Sequence, residues 1–129
     1  MEGNDILIRM KEVVFAYDGG RTVLDGASFE LRRGERVGLV GHIGTGKTTV
    51  LHLIVGLIKP GSGVIEVFGR ARSAERDFLD VRLRAGLLFQ DPEDQLFCPT
   101  VIEDTAFGPL NQGRSREEAL AVSRETLGM

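Results

Sequence analysis

The sequence has 129 residues, 42% of them hydrophobic and 27% charged, which is the composition of a single soluble globular domain. Its formal net charge of −3 and its lack of clustered Lys and Arg argue against a nucleic-acid-binding surface. The single cysteine, Cys98, cannot form an internal disulfide, and without a signal peptide or an apolar stretch of about twenty residues the chain is expected to be cytoplasmic.

The first third of the chain is predicted to be antiparallel β-structure. Ile6, Ile8 and Met10 alternate along residues 6–17, which predicts a strand with one buried face and an irregularity near residues 11–12. Residues 18–20 form a predicted turn. A second alternating run over residues 27–32 ends at a turn over residues 33–35, so the two strands are expected to pair in opposite directions.

A phosphate-loop pattern follows a short buried strand predicted at residues 36–40. Residues 41–48 fit the spacing Gly, four residues, Gly-Lys-Ser/Thr. Glycines let consecutive backbone N–H groups turn inward around a phosphate, and a helix predicted for residues 48–57 adds the positive end of its dipole. Lys47 supplies a positive charge and Thr48 a hydroxyl for magnesium, so the pattern predicts a nucleoside triphosphate with magnesium. The flanking strand and helix disfavour the alternative of a purely structural Gly-rich turn.

Two further strands and a helix are predicted between this helix and Gln90. After a turn at residues 60–63, residues 64–69 are expected to form a strand that returns to the antiparallel part. Ser73 is the predicted N-cap of a helix over residues 74–84. The apolar run at residues 85–89 predicts a buried strand that ends at Gln90, because proline follows two residues later and cannot continue a central ladder.

The remaining sequence is predicted to be a long loop followed by a helix. Residues 91–113 are repeatedly interrupted by proline and glycine, which predicts a loop. A helix is predicted over residues 115–127, with Ser115 as N-cap and Glu118 as its capping-box partner. The loop also carries large apolar residues, which indicate that it packs back on itself or meets a partner: Leu96, Phe97, Val101, Ile102, Phe107 and Leu110.

These residues resemble the N-terminal part of an ATP-binding cassette (ABC) ATPase. The resemblance rests on the phosphate loop, on Tyr17 ahead of the alternating strands, on the approach from residues 24–26 to 34–35, and on Gln90 after a buried strand. The run at residues 89–97, with residues 100–101 and 106–109, most resembles the ATPases of energy-coupling-factor importers and of cobalt and nickel importers. It implies an α/β fold, with an antiparallel β subdomain beside a partial parallel sheet core of the P-loop NTPase type, and residues 1–129 as one part of that domain.

The resemblance also implies roles for individual residues. Tyr17 would stack on adenine, and Gln90 would reach magnesium and the attacking water when nucleotide is bound. Lys47 and Gln90 are the implied catalytic residues, and Thr48 and Gln90 the implied magnesium ligands. Two alternatives stay open: Tyr17 as a core or turn aromatic, and Gln90 as a polar strand end that faces water. The implied ATP-binding residues of the loop are Gly41, His42, Ile43, Gly44, Thr45, Gly46, Lys47, Thr48 and Thr49.

Other candidate site residues are interpreted as structural. His42 is expected to face solvent or to pack rather than to act as a catalyst, and His52 to be a core or edge histidine. Cys98 is expected to fill apolar space. The acidic cluster at residues 91–94 is interpreted as a solvated or partner-facing patch rather than a metal site.

The implied function is ATP hydrolysis that drives import of a vitamin or of a transition-metal ion such as cobalt or nickel. The implied partners are a second ATPase subunit and a membrane subunit docked near residues 91–113, which would hold the protein on the inner face of the cell membrane. The family's Asp-Glu strand, Ser-Gly-Gly-Gln motif and switch histidine do not occur up to Met129, so the chain by itself is expected to lack the residues for hydrolysis. One alternative is a truncated piece or remnant that binds nucleotide or a partner without chemistry. A cassette ATPase acting on DNA or ribosomes is a third, disfavoured hypothesis.

Overall fold

The structure is a computed structural model that describes residues 5–42, 44–91, 93 and 96–129. The chain divides into two compact units, the first ending at Leu87 and the second beginning at Leu88. The first unit contains β1 (Ile6–Ala16), β2 (Thr22–Arg32), α1 (Lys47–Ile54), β3 (Ser62–Val67), β4 (Arg70–Ala71), a 3-10 turn (Glu75–Phe78) and α2 (Leu79–Arg84). The second unit contains α3 (Val101–Asn111) and α4 (Arg116–Leu127).

The four strands form one antiparallel sheet in the order β2-β1-β3-β4. The hairpin of β1 and β2 confirms the antiparallel pairing predicted for the first third of the chain. The strand predicted at residues 64–69 is confirmed as β3, which pairs with the other edge of β1, as expected. The α/β fold class is therefore confirmed in its antiparallel part and in the helices that pack with it.

The predicted irregularity in β1 is confirmed at Glu12, where the backbone takes a positive φ of 49° and the pairing register shifts. The hydroxyl of Ser28 on β2 accepts a hydrogen bond from the Glu12 N–H at 2.8 Å, so the group freed from the ladder is satisfied. On the other side, Gly63 of β3 packs so closely that an added Cβ would lie 2.4 Å from the Glu12 carbonyl oxygen. Glycine at position 63 therefore lets β3 pass the bulge.

One apolar core lies in the first unit and is shared by the sheet and the helices. β1 contributes Met10, Val13 and Phe15, and β3 contributes Ile65 and Val67. The helical segments contribute the other core residues: Val50, Leu53, Ile54, Phe78 and Val81. This packing fixes α1, and therefore the phosphate loop before it, on the antiparallel sheet.

Arg72 is a buried cation, only 4% exposed, that joins the end of β3 to α2. Its guanidinium donates to the Val67 carbonyl oxygen from Nε at 3.1 Å and from Nη2 at 2.9 Å. Nη1 donates to the Asp77 carbonyl oxygen at 2.6 Å and forms an ion pair with Asp80. The charge is thus satisfied by three acceptors, as a buried arginine requires.

Two strand predictions are wrong in the described residues. Residues 36–40 and 85–89 join no ladder, and Val40 is 98% exposed. Apolar composition identified them as strands, but a strand also needs a hydrogen-bonded neighbour, and β1–β4 pair only among themselves. The parallel part of the predicted sheet is therefore not formed by the described residues.

Two helix boundaries also differ from prediction. The predicted helix at 48–57 is observed as α1, Lys47–Ile54, and ends three residues early. The helix predicted at 74–84 is a 3-10 turn followed by α2, and its N-cap is Ala74 rather than Ser73. The Asp77 carboxylate, three residues after the N-cap, accepts from the Ser73 and Ala74 N–H groups at 3.0 and 2.9 Å and so satisfies the backbone donors at and before the cap.

The second unit is a pair of helices rather than a loop and a helix. The loop predicted at residues 91–113 is wrong from Val101 onward, because α3 occupies Val101–Asn111 and includes Pro109 in its last turns. Thr100 caps α3 by accepting from the Glu103 N–H at 3.3 Å. α4 matches its prediction, and Ser115 accepts from the Glu118 N–H at 3.2 Å. The small buried residues Ala106, Ala119 and Ser123 pack the two helices together.

The contacts of Arg72 predict that its removal is costly. Arg72→Met keeps an apolar side chain of similar length but leaves the Val67 and Asp77 carbonyl oxygens without their donor. We expect the free energy of unfolding to fall by about 3 kcal/mol. Urea denaturation followed by circular dichroism measures the change, and Arg33→Met, the same replacement at an exposed turn, is the matched control. Equal losses in the two variants would contradict this account of Arg72.

The ion pair between Arg72 and Asp80 makes the free energy of unfolding depend on pH in the acid range. The hydrogen bond from Arg72 holds the pKa of the Asp80 carboxyl below its ordinary value of 3.8. The stabilisation is therefore fully present above the pKa of an unfolded Asp and is lost as the pH falls through the lower pKa of the folded protein. Arg72→Met should remove this part of the acid dependence.

Candidate nucleotide-binding site

The phosphate loop lies between residues 35–40, which form no regular secondary structure, and α1, and Gly46 joins it to the helix. Gly46 is the N-cap of α1 and has a left-handed backbone with φ of 95°. An added Cβ would lie 2.9 Å from Val23 Cγ1 and 3.0 Å from Leu24 Cδ2, so the loop sits directly on β2. Glycine is needed here both for the backbone conformation and for the close packing. Ile43, a predicted loop residue, lies outside the described residues.

Within the loop, Lys47 turns back toward the carbonyl groups that precede it. Its Nζ donates to the Gly41 carbonyl oxygen and, at 3.3 Å, to that of His42. The Thr45 N–H and hydroxyl donate to the same His42 oxygen at 3.3 and 2.8 Å. The ammonium is therefore held by neutral carbonyl oxygens inside the turn. A phosphate oxygen carries more negative charge and forms a stronger hydrogen bond, so it can replace those partners.

Thr48 and Thr49 begin α1 and face different surroundings. Thr48 is exposed beside Lys47, whereas Thr49 is 4% exposed. The hydroxyls of Thr49 and Tyr17 are hydrogen-bonded to each other at 3.0 Å. Tyr17 follows β1 directly, and its ring makes an edge-to-face contact with Phe15, the centroids 4.8 Å apart. The structure thus brings Tyr17 to the helix that leaves the phosphate loop.

Arg21 is a cation beside the loop that the sequence analysis did not consider. Its Nη2 lies 3.7 Å from the position that a Cβ on Gly44 would occupy. No ion pair joins Arg21 to a carboxylate of the described residues. The sequence pattern gave no indication of this position, because residue 21 lies near residue 44 only once the β1–β2 hairpin has folded.

The other predicted site residues are distributed as follows. Gln90 is exposed and belongs to the second unit. His42 is exposed, in agreement with its interpretation as a solvent-facing residue, and His52 is partly buried on α1. Over the residues described, no three His, Cys, Asp or Glu side chains are placed to hold a metal ion, and Asp94 of the acidic cluster lies outside them.

Cys98 is partly buried, in agreement with its interpretation as a filler of apolar space. Burial raises the pKa of its thiol, and the hydrogen bond and charge of Asp104 raise it further. The thiol therefore stays protonated at neutral pH and is a poor nucleophile.

Large apolar side chains remain exposed on the second unit. Phe97 is 62% exposed, and Leu96, Val101, Phe107 and Leu110 are also exposed. Phe97 and Phe107 contact each other edge to face, with centroids 4.6 Å apart. The Asp104 carboxylate accepts from the backbone N–H groups of Phe97 and Cys98 at 3.3 and 3.1 Å, which ties this segment to α3. We call the five apolar residues the apolar surface of the second unit.

None of the helices in the described ranges is both long enough and apolar enough to cross a membrane.

The close packing of Gly46 predicts that Gly46→Ala distorts the phosphate loop. A left-handed Ala costs about 1–2 kcal/mol per residue, and the overlap with Val23 and Leu24 adds to that cost. We expect a loss of about 2 kcal/mol or more in the free energy of unfolding, together with weaker nucleotide binding. Gly86→Ala is the matched control, since its Cβ would enter open space and its φ is not positive. A Gly46→Ala protein as stable as the control would contradict the assigned packing.

A family comparison identifies residues 24–129 as matching the model described as "ABC transporter". A putative ABC transporter ATP-binding protein of Brucella suis is 52% identical over 121 residues, which cover 94% of this chain and 50% of that protein. An energy-coupling factor transporter ATP-binding protein of Methanosphaera stadtmanae is 41% identical over 94% of this chain and 44% of its own length. The chain therefore spans about half the length of the curated relatives it matches.

A solved structure shares this fold. CbiO1 of Clostridium perfringens, described as part of the ABC transporter complex CbiONQ, matches with a TM-score of 0.76 and 30% identity. The match covers 89% of this chain and 46% of CbiO1. The resemblance that the sequence motifs indicated is confirmed by these comparisons.

Proposed function

The chain belongs to the ABC transporter family, whose members bind ATP, and on that premise we propose that residues 41–49 bind the phosphates of ATP for a transport ATPase. The observation that carries the proposal is the Lys47 ammonium, which is held inside the loop by the carbonyl oxygens of Gly41 and His42. Transfer of Lys47 to the phosphates would release the Gly41 carbonyl oxygen, whereas that of His42 would keep its two donors from Thr45. Backbone N–H groups of the loop and the first turn of α1 would then complete the phosphate site.

Magnesium fits the residues at the start of α1, because the exposed Thr48 hydroxyl beside Lys47 is a hard oxygen donor. A magnesium ion bound with the nucleotide neutralises phosphate charge that Lys47 alone cannot balance. We propose Thr48 as one magnesium ligand and the exposed Gln90 as the other. The amide of Gln90 can ligate a cation and hydrogen-bond to water without a change of charge, which suits a residue that senses nucleotide.

The base of the nucleotide is proposed to stack on Tyr17. The ring is 49% exposed while its hydroxyl is tied to Thr49, so part of its surface is open to a flat ligand. Its exposure disfavours the alternative of a core aromatic, which would be buried on all sides, whereas the alternative of a turn aromatic stays open, because the Gly20 N–H donates to the Tyr17 carbonyl oxygen.

The proposed process is import of a vitamin or of a transition-metal ion such as cobalt or nickel, with a second ATPase subunit and a membrane subunit as partners. The similarity to an energy-coupling factor transporter protein and to a component of CbiONQ supports it. Transporter relatives also favour transport over a binding module without chemistry and over an ATPase acting on DNA or ribosomes. The protein is proposed to act at the cytoplasmic face of the membrane through its partners.

The apolar surface of the second unit is the proposed docking site for the membrane subunit. It begins six residues after Gln90 in the chain, so a movement of Gln90 on nucleotide binding would be passed toward it through a short segment. Exposed aromatic residues held in place by neighbouring contacts are the usual anchors of an interface, and Phe97 is held by Asp104 and Phe107.

The phosphate role of Lys47 predicts a large effect of Lys47→Ala on ATP binding. The β- and γ-phosphate oxygens would keep only backbone donors, and we expect ATP affinity to fall at least tenfold, a loss of about 1.5–3 kcal/mol. Isothermal titration calorimetry on the full-length protein measures the effect. Lys59→Ala removes an equal charge from an exposed position and serves as the control. Equal affinities for Lys47→Ala and wild type would remove the central proposal.

The docking role predicts that Phe97→Ala and Leu96→Ala reduce assembly of the full-length protein with its membrane subunit. Truncation of an interface anchor costs about 2 kcal/mol or more. Co-purification measures assembly, ATP binding by the ATPase alone shows that the variants are folded, and Leu79→Ala, an exposed leucine of the first unit, is the control. Intact assembly, or loss of assembly and ATP binding together, would count against this docking site.

A further inference from the structure

The hydrogen bond between Tyr17 and Thr49 links the two sides of the proposed site. Tyr17 stands at the end of β1 and Thr49 in the first turn of α1, 32 residues apart in the chain. A threonine within a helix commonly bonds its hydroxyl to a carbonyl of the preceding turn. The Thr49 hydroxyl instead reaches across to the hairpin, so the contact depends on the tertiary fold.

This hydrogen bond restricts the Tyr17 side chain more than that of Thr49. Thr49 is almost fully buried, and an apolar residue of the same shape, such as valine, would fill its position without requiring a polar partner. The Tyr17 ring is half exposed and could hydrogen-bond to water instead. The bond therefore restricts the side chain that has the greater freedom.

The ring is fixed at two points. The edge-to-face contact with Phe15 holds the body of the ring, and the Thr49 hydroxyl holds its tip. A turn supports the same residue, because the Gly20 N–H donates to the Tyr17 carbonyl oxygen at 2.9 Å. A ring fixed before the ligand arrives loses less conformational freedom when a base stacks on it.

We propose that Thr49 is a positioning residue, whose hydroxyl holds the Tyr17 ring in the orientation that receives the base of the nucleotide. This inference rests on the proposed binding of ATP at residues 41–49. It assigns to Thr49 an effect on the base end of the ligand, although the residue lies in the phosphate-binding segment of the sequence. Recognition of the base and of the phosphates is then joined at the first turn of α1.

The test separates the base from the phosphates by comparing ATP with inorganic tripolyphosphate, which has no base. Three variants of the full-length protein are used: Thr49→Val and Tyr17→Phe each remove one hydroxyl of the bond, and Thr49→Ser keeps it. We expect Thr49→Val and Tyr17→Phe to weaken ATP binding about two- to tenfold, the cost of ordering one side chain. Tripolyphosphate affinity should stay at the wild-type value in Tyr17→Phe, because Tyr17 lies outside the phosphate-binding segment, and Thr49→Ser should retain the ATP affinity of the wild type.

A double variant, Thr49→Val with Tyr17→Phe, tests whether the two hydroxyls act through one bond. ATP affinity should then be no weaker than in either single variant, because the second substitution removes nothing further. Additive losses, an unchanged ATP affinity in Tyr17→Phe, or an equal loss of tripolyphosphate affinity in Tyr17→Phe would each overturn the proposal. If Thr49→Val does not fold, Tyr17→Phe at its half-exposed position still decides the outcome.

These results are distinguishable from a failure of the proposed ATP site. Lys47→Ala should weaken ATP and tripolyphosphate alike, since both present phosphate oxygens to the ammonium. If Lys47→Ala weakens the binding of both ligands and Tyr17→Phe weakens neither, the proposed ATP site stands. Only the inference about Thr49 is then wrong.

Discussion

The packing of Gly46 against Val23 and Leu24 is the constraint on which the candidate site depends. It sets the loop on β2 at a distance at which an added Cβ would overlap the Val23 and Leu24 side chains, and the left-handed backbone there turns the chain into α1. Val50, Leu53 and Ile54 then anchor α1 in the core with β1 and β3. The burial of this face of α1 against the antiparallel sheet thus fixes the direction in which Lys47 and Thr48 face.

Two contacts satisfy backbone groups where the sheet is interrupted. The Ser28 hydroxyl does so at the Glu12 bulge, and the Arg72 guanidinium does so at the end of β3. Without the Ser28 contact the bulge would leave a backbone donor unpaired, and without Arg72 the carbonyl oxygens at the end of β3 and in the 3-10 turn would lose their donor. Both contacts satisfy polar groups rather than bury apolar surface. Their loss would therefore cost stability by leaving polar groups without their protein partners, not by exposing apolar surface.

The sequence predicted most accurately those features that depend on neighbouring residues. Alternation gave the β1–β2 hairpin and the irregularity at Glu12, and Ser115 gave the start of α4. It failed where tertiary contacts decide the outcome. Glycine and proline suggested a loop at residues 91–113, but the Thr100 cap and the packing of Ala106 on α4 support a helix that tolerates Pro109 near its end. The position of Arg21 and the contacts of Arg72 had no local sequence signal. Arg21 lies beside Gly44, which is distant in the sequence, and Arg72 donates mainly to backbone carbonyl oxygens.

The segment that enters the predicted phosphate loop joins no ladder of the described strands. Other contacts of the described residues therefore hold the loop. On its N-terminal side the contacts are local, from Thr45 and Lys47 to the carbonyl oxygens of His42 and Gly41. On its C-terminal side they are tertiary, through Gly46, the Tyr17–Thr49 bond and the buried face of α1. In the proposed ATP complex the two contacts of the Lys47 ammonium would be exchanged for phosphate oxygens, whereas the Thr45 contacts and the tertiary contacts could persist. On this proposal the junction of hairpin and helix is the fixed base of the site, and ATP binding would move the Lys47 side chain relative to it.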